Sequence, residues 1–142
     1  MLIVEVVKGM LGPLAPVLDF ILDNPAVTSA VFLLWLVVYA AGRIQLRNIE
    51  EKTKDLVLQI SRAEIARNPQ TTSRSLYKTI YPRWSETLPQ WGRFVPHRLD
   101  LWPVPVTAQN VTQKITFSPE WIADILREQD IFPRDNVTQD AV

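Results

Sequence analysis

Few residues in this chain have the types and spacing that catalysis or metal binding requires. The chain has no cysteine, which excludes disulfides, thiolate metal sites and cysteine nucleophiles. Its four glycines are not clustered, so no phosphate-binding glycine loop is present. The single histidine, His97, has no neighbouring set of metal ligands, and such a histidine is more often a satisfied polar residue. We therefore expect no catalytic residue, no metal site and no cofactor.

Two further groupings could in principle bind a ligand. Glu120, Asp124 and Glu128 recur every four residues and could form an acidic face, although a solvated helix surface is the simpler interpretation. The stretch Arg74–Arg98 is basic and aromatic and could bind nucleic acid through phosphate contacts and stacking. The chain's formal net charge is zero, so no overall field favours nucleic acid. We expect no nucleic-acid partner and favour anionic lipid head groups or an acidic protein surface for this stretch.

One segment near the N-terminus is apolar enough to cross a bilayer. Residues 25–42 carry no charge, and extending the segment to Leu46 reaches the roughly 20 residues that a 30 Å hydrocarbon core needs. Asp23 or Asn24 can cap a helix whose first position is Pro25. A buried core helix is disfavoured because the rest of the chain is too polar to surround one. A cleaved signal peptide is disfavoured because the leader is long and not basic. We predict a transmembrane helix over residues 24–46.

The basic residues around this helix predict its direction. Only Lys8 precedes it, whereas Arg43, Arg47, Lys52 and Lys54 follow it. Positive residues concentrate on the cytoplasmic side, so we predict a single-pass protein of the cell membrane with its N-terminus outside and its C-terminus in the cytoplasm. The two Asn-x-Thr sequons, at Asn110 and Asn136, are then chance matches.

Residues 1–23 form a separate apolar arm. Gly12-Pro13 divides it, and Asp19 and Asp23 lie opposite a face of apolar residues at helical spacing. A segment this apolar lies in the membrane interface or packs on other membrane helices. A second spanning hairpin is the poorer alternative because Asp19 and Pro16 would enter hydrocarbon.

The pattern after the membrane helix becomes periodic. An imperfect heptad stripe continues the helix over residues 47–68, since no proline interrupts it before Pro69. The stripe comprises Leu46, Ile49, Thr53, Leu56, Ile60, Ala63 and Arg67. A lone helix with such a face is marginal, so it needs either the chain's own tail or another subunit. A homodimeric coiled coil is disfavoured because the stripe is short and contains Thr53 and Arg67.

Residues 69–117 are rich in proline and tryptophan. A short helix over Thr72–Tyr81 and a short strand over Lys114–Phe117 are the only regular elements that we expect in this segment. Prolines then recur from Pro82 to Pro105, which argues against regular helix and central strands. The large aromatics between them either close over a small core or anchor in a neighbour. We favour an extended, partner-bound segment.

The C-terminal end is predicted to hold one amphipathic helix over residues 118–132, with Ser118 as its cap and Pro119 in its first turn, followed by a polar tail over 133–142. The fold class is therefore mainly α. A single transmembrane helix continues into a cytoplasmic amphipathic helix, and an extended Pro/Trp-rich segment and a short C-terminal helix follow.

We expect this chain to bind partners rather than to catalyse. The preferred hypothesis is a non-catalytic accessory or stabilising subunit of a multi-subunit integral-membrane complex, for example an energy-transducing electron-transport complex. Its partners would be the lipid bilayer and other integral-membrane subunits. The alternative is a membrane tether or adaptor that recruits a soluble partner, in which case residues 70–130 should fold without the anchor. An enzyme or cofactor carrier would require His97. The expected partner-binding residues in the membrane are Leu33, Leu34, Trp35 and Tyr39, and those in the soluble part are Leu56, Ile60, Trp84, Trp91, Phe94, Trp102 and Trp121.

Overall fold

The computed structural model describes residues 2–131, and the predicted polar tail over 133–142 lies outside them. The chain divides into two compact units, Met1–Val38 and Tyr39–Val142. We call the second the C-terminal unit. The described part is mainly helical, with one long apolar helix near the N-terminus, as the sequence predicts.

The N-terminal part consists of short helices followed by the long one. Helix α1 covers Leu2–Leu11, a 3-10 turn covers Gly12–Leu14, and α2 covers Ala15–Asp23. Gly12 has a positive φ of 50°, which glycine adopts without steric cost, so the chain changes direction at the Gly12-Pro13 pair. No residue of α1 or α2 is buried.

Helix α3 covers Pro25–Arg67 without interruption. By length and composition it is the one candidate membrane span among residues 2–131. Its apolar side chains from Val27 to Val37 are exposed, whereas the core helix of a soluble protein would bury them. The described part of the chain therefore has one candidate transmembrane helix.

The same helix carries a buried stripe in its second half. Leu46, Ile49, Thr53, Val57 and Ile60 are buried there. Their spacings of three and four residues place them on one face of α3. The stripe packs against the chain's own later elements, so the chain's own tail is one of its partners. The predicted seam differs in detail, because Val57 rather than Leu56 is buried and Ala63 and Arg67 are exposed.

Helix α4 covers Ser73–Trp91, and the prediction of an extended segment is wrong there. Pro82 and Pro89 both lie inside α4, on its exposed side. An interior proline costs about 3 kcal/mol, but burying one large apolar side chain contributes roughly 1.5–3 kcal/mol. Four such side chains at four-residue spacing face the core from α4 and offset that cost: Leu76, Ile80, Trp84 and Leu88.

The remainder of the C-terminal unit is short elements that close the core. Strands β1 (Phe94–Pro96) and β2 (Pro103–Pro105) form an antiparallel hairpin with Val95 opposite Val104. Helix α5 covers Ala108–Thr112. The predicted strand over Lys114–Phe117 is wrong, since this stretch is a turn held by local hydrogen bonds such as Ile115 N–H to the Val111 carbonyl at 2.8 Å.

Helix α6 covers Pro119–Glu128 and packs against α4. The hydroxyl oxygen of Ser118 accepts a hydrogen bond from the backbone N–H of Trp121 at 3.2 Å, the geometry expected of an N-cap. Ile122, Ile125 and Leu126 of α6 are buried in the common core.

Candidate functional site

The structure places the eleven predicted partner-binding residues in three environments. In the membrane set, Leu33 is 60% exposed, Leu34 is 65% exposed, Trp35 is exposed and stacks on Phe32, and Tyr39 is half-buried. In the soluble set, Ile60 and Trp84 are buried in the chain's own core. Four others are half-buried and pack beside or near it: Leu56, Trp91, Phe94 and Trp121. Trp102 is exposed.

Trp84 therefore belongs to the core in this fold. Its indole N–H donates a 2.9 Å hydrogen bond to the hydroxyl of Thr53, and that hydroxyl donates a 2.7 Å bond to the Ile49 carbonyl of the preceding helical turn. Its ring stacks on Phe117 with centroids 4.4 Å apart. A fully buried side chain offers no surface to a partner, so the expectation that Trp84 anchors in a neighbour is wrong for this conformation.

Phe117 is the centre of an aromatic cluster that the sequence reading missed. Tyr77 and Trp121 contact its ring at centroid distances of 5.3 and 5.7 Å. Partial burial raises the pKa of the Tyr77 phenol, and the neighbouring Tyr81 adds to this rise. The cluster joins α4 to α6 through the turn that precedes α6, and no local pattern around Phe117 signals this role.

Gln45 fastens the hairpin to α3. Its side-chain oxygen accepts hydrogen bonds from the backbone N–H groups of Arg93, at 2.9 Å, and Phe94, at 3.4 Å. Gly92 makes this approach possible, because a Cβ at that position would lie 2.8 Å from the same oxygen. Sequence reasoning missed both residues, and the only local signal is a glycine directly after the last residue of α4.

A second close approach lies further along the hairpin. A Cβ on Gly42 would lie 3.3 Å from Cγ of Pro96. Gly42 is also the last residue of the uncharged stretch 25–42, and Arg43 follows it. The hairpin thus packs on α3 at the point where its sequence changes from apolar to charged.

The loop of the hairpin, His97–Trp102, is internally bonded. The N–H of His97 donates to the Trp102 carbonyl and the N–H of Asp100 donates to the His97 carbonyl, both at 2.8 Å. The N–H of Leu99 donates to Nδ1 of His97 at 3.2 Å, and the His97 ring stacks on Trp102 with centroids 4.2 Å apart. His97 therefore has a structural role in shaping the loop.

The charged side chains of the loop differ in their surroundings. The Asp100 carboxylate pairs with the Lys114 ammonium at 2.5 Å, and Lys114 also contacts the Arg98 carbonyl at 3.4 Å. Asp100 has φ of 59°, a left-handed conformation that aspartate tolerates better than most residues. Arg98 is exposed. The apolar side chains of the same loop are exposed as well: Leu99 is 63%, Leu101 53% and Trp102 49% exposed.

The two groupings that could in principle bind a ligand, the acidic one and the basic one, have most of their charged side chains on exposed helix surfaces of α6 and α4. Within residues 2–131, no three His, Asp or Glu side chains are placed to hold a metal ion. Asp124 of the predicted acidic face pairs with Arg127 at 3.7 Å on the exposed side of α6. Of the basic stretch, Arg74, Lys78 and Arg83 lie exposed on α4.

The N-terminal arm contains one ion pair. Lys8 of α1 pairs with Asp19 of α2, and the hydrogen bond that the Lys8 ammonium donates to the Asp19 carboxylate raises the pKa of Lys8. The only basic residue of the arm is thus bonded to one of its acids, while large apolar side chains such as Leu2, Ile3 and Met10 are exposed.

Comparison with known proteins returned no relative. No protein-family model, no curated protein and no solved structure matches this chain.

Proposed function

We propose that this chain is a non-catalytic membrane tether that holds the folded C-terminal unit against the cytoplasmic face of the cell membrane and recruits a soluble partner there. In this proposal the uncharged stretch of α3, residues 25–42, crosses the bilayer with the N-terminus outside. The excess of basic residues after the apolar stretch supports this direction.

The observation that carries the proposal is the closed core of the C-terminal unit. Residues from α3, α4, α5 and α6 bury one another, so the unit needs no neighbouring subunit to cover Trp84. Domains with their own core fold as units and present their remaining surface to partners.

The coupling between anchor and unit also supports a tether. Residues 25–67 form one helix, and its second half supplies Ile49, Val57 and Ile60 to the core. No flexible linker intervenes between the apolar stretch and these core residues. The folded unit therefore begins within α3 itself.

A second candidate function is a stabilising accessory subunit of a larger integral-membrane complex. The exposed apolar arm favours it, because a tether needs only one spanning helix whereas α1 and α2 add a further apolar surface. The Lys8–Asp19 pair reduces the polar cost of placing that arm in lipid or against other membrane subunits.

Deletion of residues 2–23 distinguishes the two candidates. Wild-type and deleted proteins are extracted from their native membrane in mild detergent after crosslinking, and co-migrating proteins are identified on a native gel. A tether keeps its soluble partner when the arm is removed, because the partner binds the C-terminal unit. Co-migration with polytopic subunits that disappears on deletion contradicts the tether and supports the accessory subunit.

The direction of insertion is measured in the same membranes. The chain lacks cysteine, so a Gln70→Cys variant carries a single thiol in the exposed loop between α3 and α4. A membrane-impermeant maleimide should label it only after the membrane is permeabilised. Labelling in intact cells contradicts the proposed orientation.

A further inference from the structure

The hairpin runs along α3 towards the apolar stretch. Its base lies beside Gln45, which binds the N–H groups of Arg93 and Phe94. Two to three residues later, Pro96 lies beside Gly42, one helical turn nearer to Tyr39. The strand therefore advances in the direction opposite to α3, and the loop that follows it projects beyond Gly42, at the end of the unit where the chain joins the apolar stretch.

The reach of the loop places it at the depth of the membrane interface. A strand advances about 3.3 Å per residue, and His97, whose N–H still pairs with the Trp102 carbonyl, continues the hairpin beyond the level of Gly42. The turn that follows, at Arg98 and Leu99, forms the tip. Interfacial segments enter the boundary between head groups and acyl chains by roughly 5–10 Å. If α3 enters hydrocarbon at Gly42, the tip of the loop falls within that boundary.

The side chains of the loop suit this boundary. Leu99, Leu101 and Trp102 expose apolar surface, and tryptophan is enriched where bilayer and water meet. Arg98 is exposed and can meet lipid phosphates. Lys114 neutralises Asp100, so the loop presents no unpaired acid to an anionic surface.

The backbone of the loop also suits the boundary between head groups and acyl chains. Three of its N–H groups, those of His97, Leu99 and Asp100, have acceptors within the loop itself. Backbone groups that leave water without a partner are strongly disfavoured. Internal bonding therefore removes a main obstacle to inserting the tip.

We propose that the hairpin loop, His97–Trp102, inserts into the head-group region of the bilayer beside the anchor and forms a second, interfacial membrane contact. The inference rests on the proposed function, since it requires α3 to be the anchor. Lipid is favoured over a protein partner because a stable protein interface buries roughly 800 Å² per partner. The surface of three exposed apolar side chains at one tip is far smaller than that.

The test measures the depth of single nitroxide labels in the full-length protein. Variants Leu99→Cys and Leu101→Cys place the label in the loop, and either alone is sufficient if the other fails to fold. Gln70→Cys is the matched control. Gln70 is exposed in the loop that follows the last residue of α3, at the end of α3 opposite to Gly42. Each protein is reconstituted in phosphatidylcholine–phosphatidylglycerol vesicles, and collisions with oxygen and with a water-soluble nickel chelate are compared.

Insertion predicts that labels at residues 99 and 101 meet the nickel complex several-fold less often than the label at residue 70, and meet oxygen more often. Collision rates equal to those at residue 70 overturn the inference. A loop label shielded from both reagents also overturns it, because a second copy of the chain rather than lipid then covers the loop.

A label at Leu33→Cys separates this inference from the function on which it rests. Leu33 lies in the middle of the apolar stretch, so an anchored protein gives deep-membrane behaviour there. With residue 33 deep and the loop in water, only the interfacial contact is wrong. With residue 33 also in water, the anchor itself is wrong and the proposed function fails with it.

Discussion

At the residue scale, Thr53 links α3 to α4 through a buried hydrogen bond. Its hydroxyl bonds to the Ile49 carbonyl and receives the Trp84 indole N–H. Both Thr53 and Trp84 are fully buried, so water cannot replace either bond. Thr53, a polar residue in the apolar stripe of α3, thus serves as the specific hydrogen-bond partner of Trp84.

Replacing Thr53 with valine should lower the free energy of local unfolding by about 1–3 kcal/mol, because the Trp84 N–H is left buried without an acceptor. Amide hydrogen exchange of α4 in the detergent-solubilised full chain measures this. The matched control is Thr53→Ser, which keeps the hydroxyl and loses only a methyl group. In a Trp84→Phe background the valine substitution should cost less, and strictly additive effects of the two substitutions would argue against the bond.

At the element scale, the hairpin depends on a glycine at its base. Its two strands have only one neighbour each and consist partly of prolines, so the ladder contributes little by itself, and isolated two-stranded hairpins are marginal. Gln45 and the close approach at Gly92 attach it to α3 instead. The hairpin's direction, and hence the location of its loop, follows from that attachment.

Gly92→Ala should loosen the hairpin, since the new Cβ displaces the Gln45 oxygen from its two N–H donors. The expected loss is about 0.5–1.5 kcal/mol for each net hydrogen bond, seen as faster amide exchange at Arg93 and Phe94. Gln45→Ala alone should give a similar effect. In the Gln45→Ala background, Gly92→Ala should add little; an undiminished second effect would show that the glycine acts by another route.

At the scale of the whole molecule, the apolar stretch and residues of the folded core belong to one helix, α3. The core takes Leu46, Ile49, Val57 and Ile60 from α3, so the boundary of the folding unit cannot lie after α3. We therefore expect the tether's folded unit to begin within α3 rather than at residue 70, because a fragment of residues 70–130 lacks the α3 side chains of the common core.

A fragment of residues 39–142 should be soluble and unfold cooperatively in urea, whereas a fragment of residues 70–142 should not fold. Circular dichroism through a urea titration measures both. The two fragments differ only in the α3 segment, which makes the shorter one the control for the longer. A cooperative transition in the shorter fragment, or none in the longer, would contradict the shared core.

Some features follow from the sequence because their causes are local. The uncharged stretch 25–42 is a property of composition, and Pro25, Gly12-Pro13 and Ser118-Pro119 place helix ends by constraints within a few residues. These signals predict a mainly helical chain with one apolar helix near its N-terminus, and the structure agrees.

Other features were decided only by tertiary structure. Pro82 and Pro89 argue against helix locally, yet the burial of Leu76, Ile80, Trp84 and Leu88 outweighs them, and that burial exists only once α3 and α6 are in place. Long-range packing likewise decides that the stripe of α3 contacts the chain's later elements and that Trp84 is buried. Hydrophobic attraction is non-directional, so the sequence alone determines which side chains need burial, and the folded chain determines what buries them.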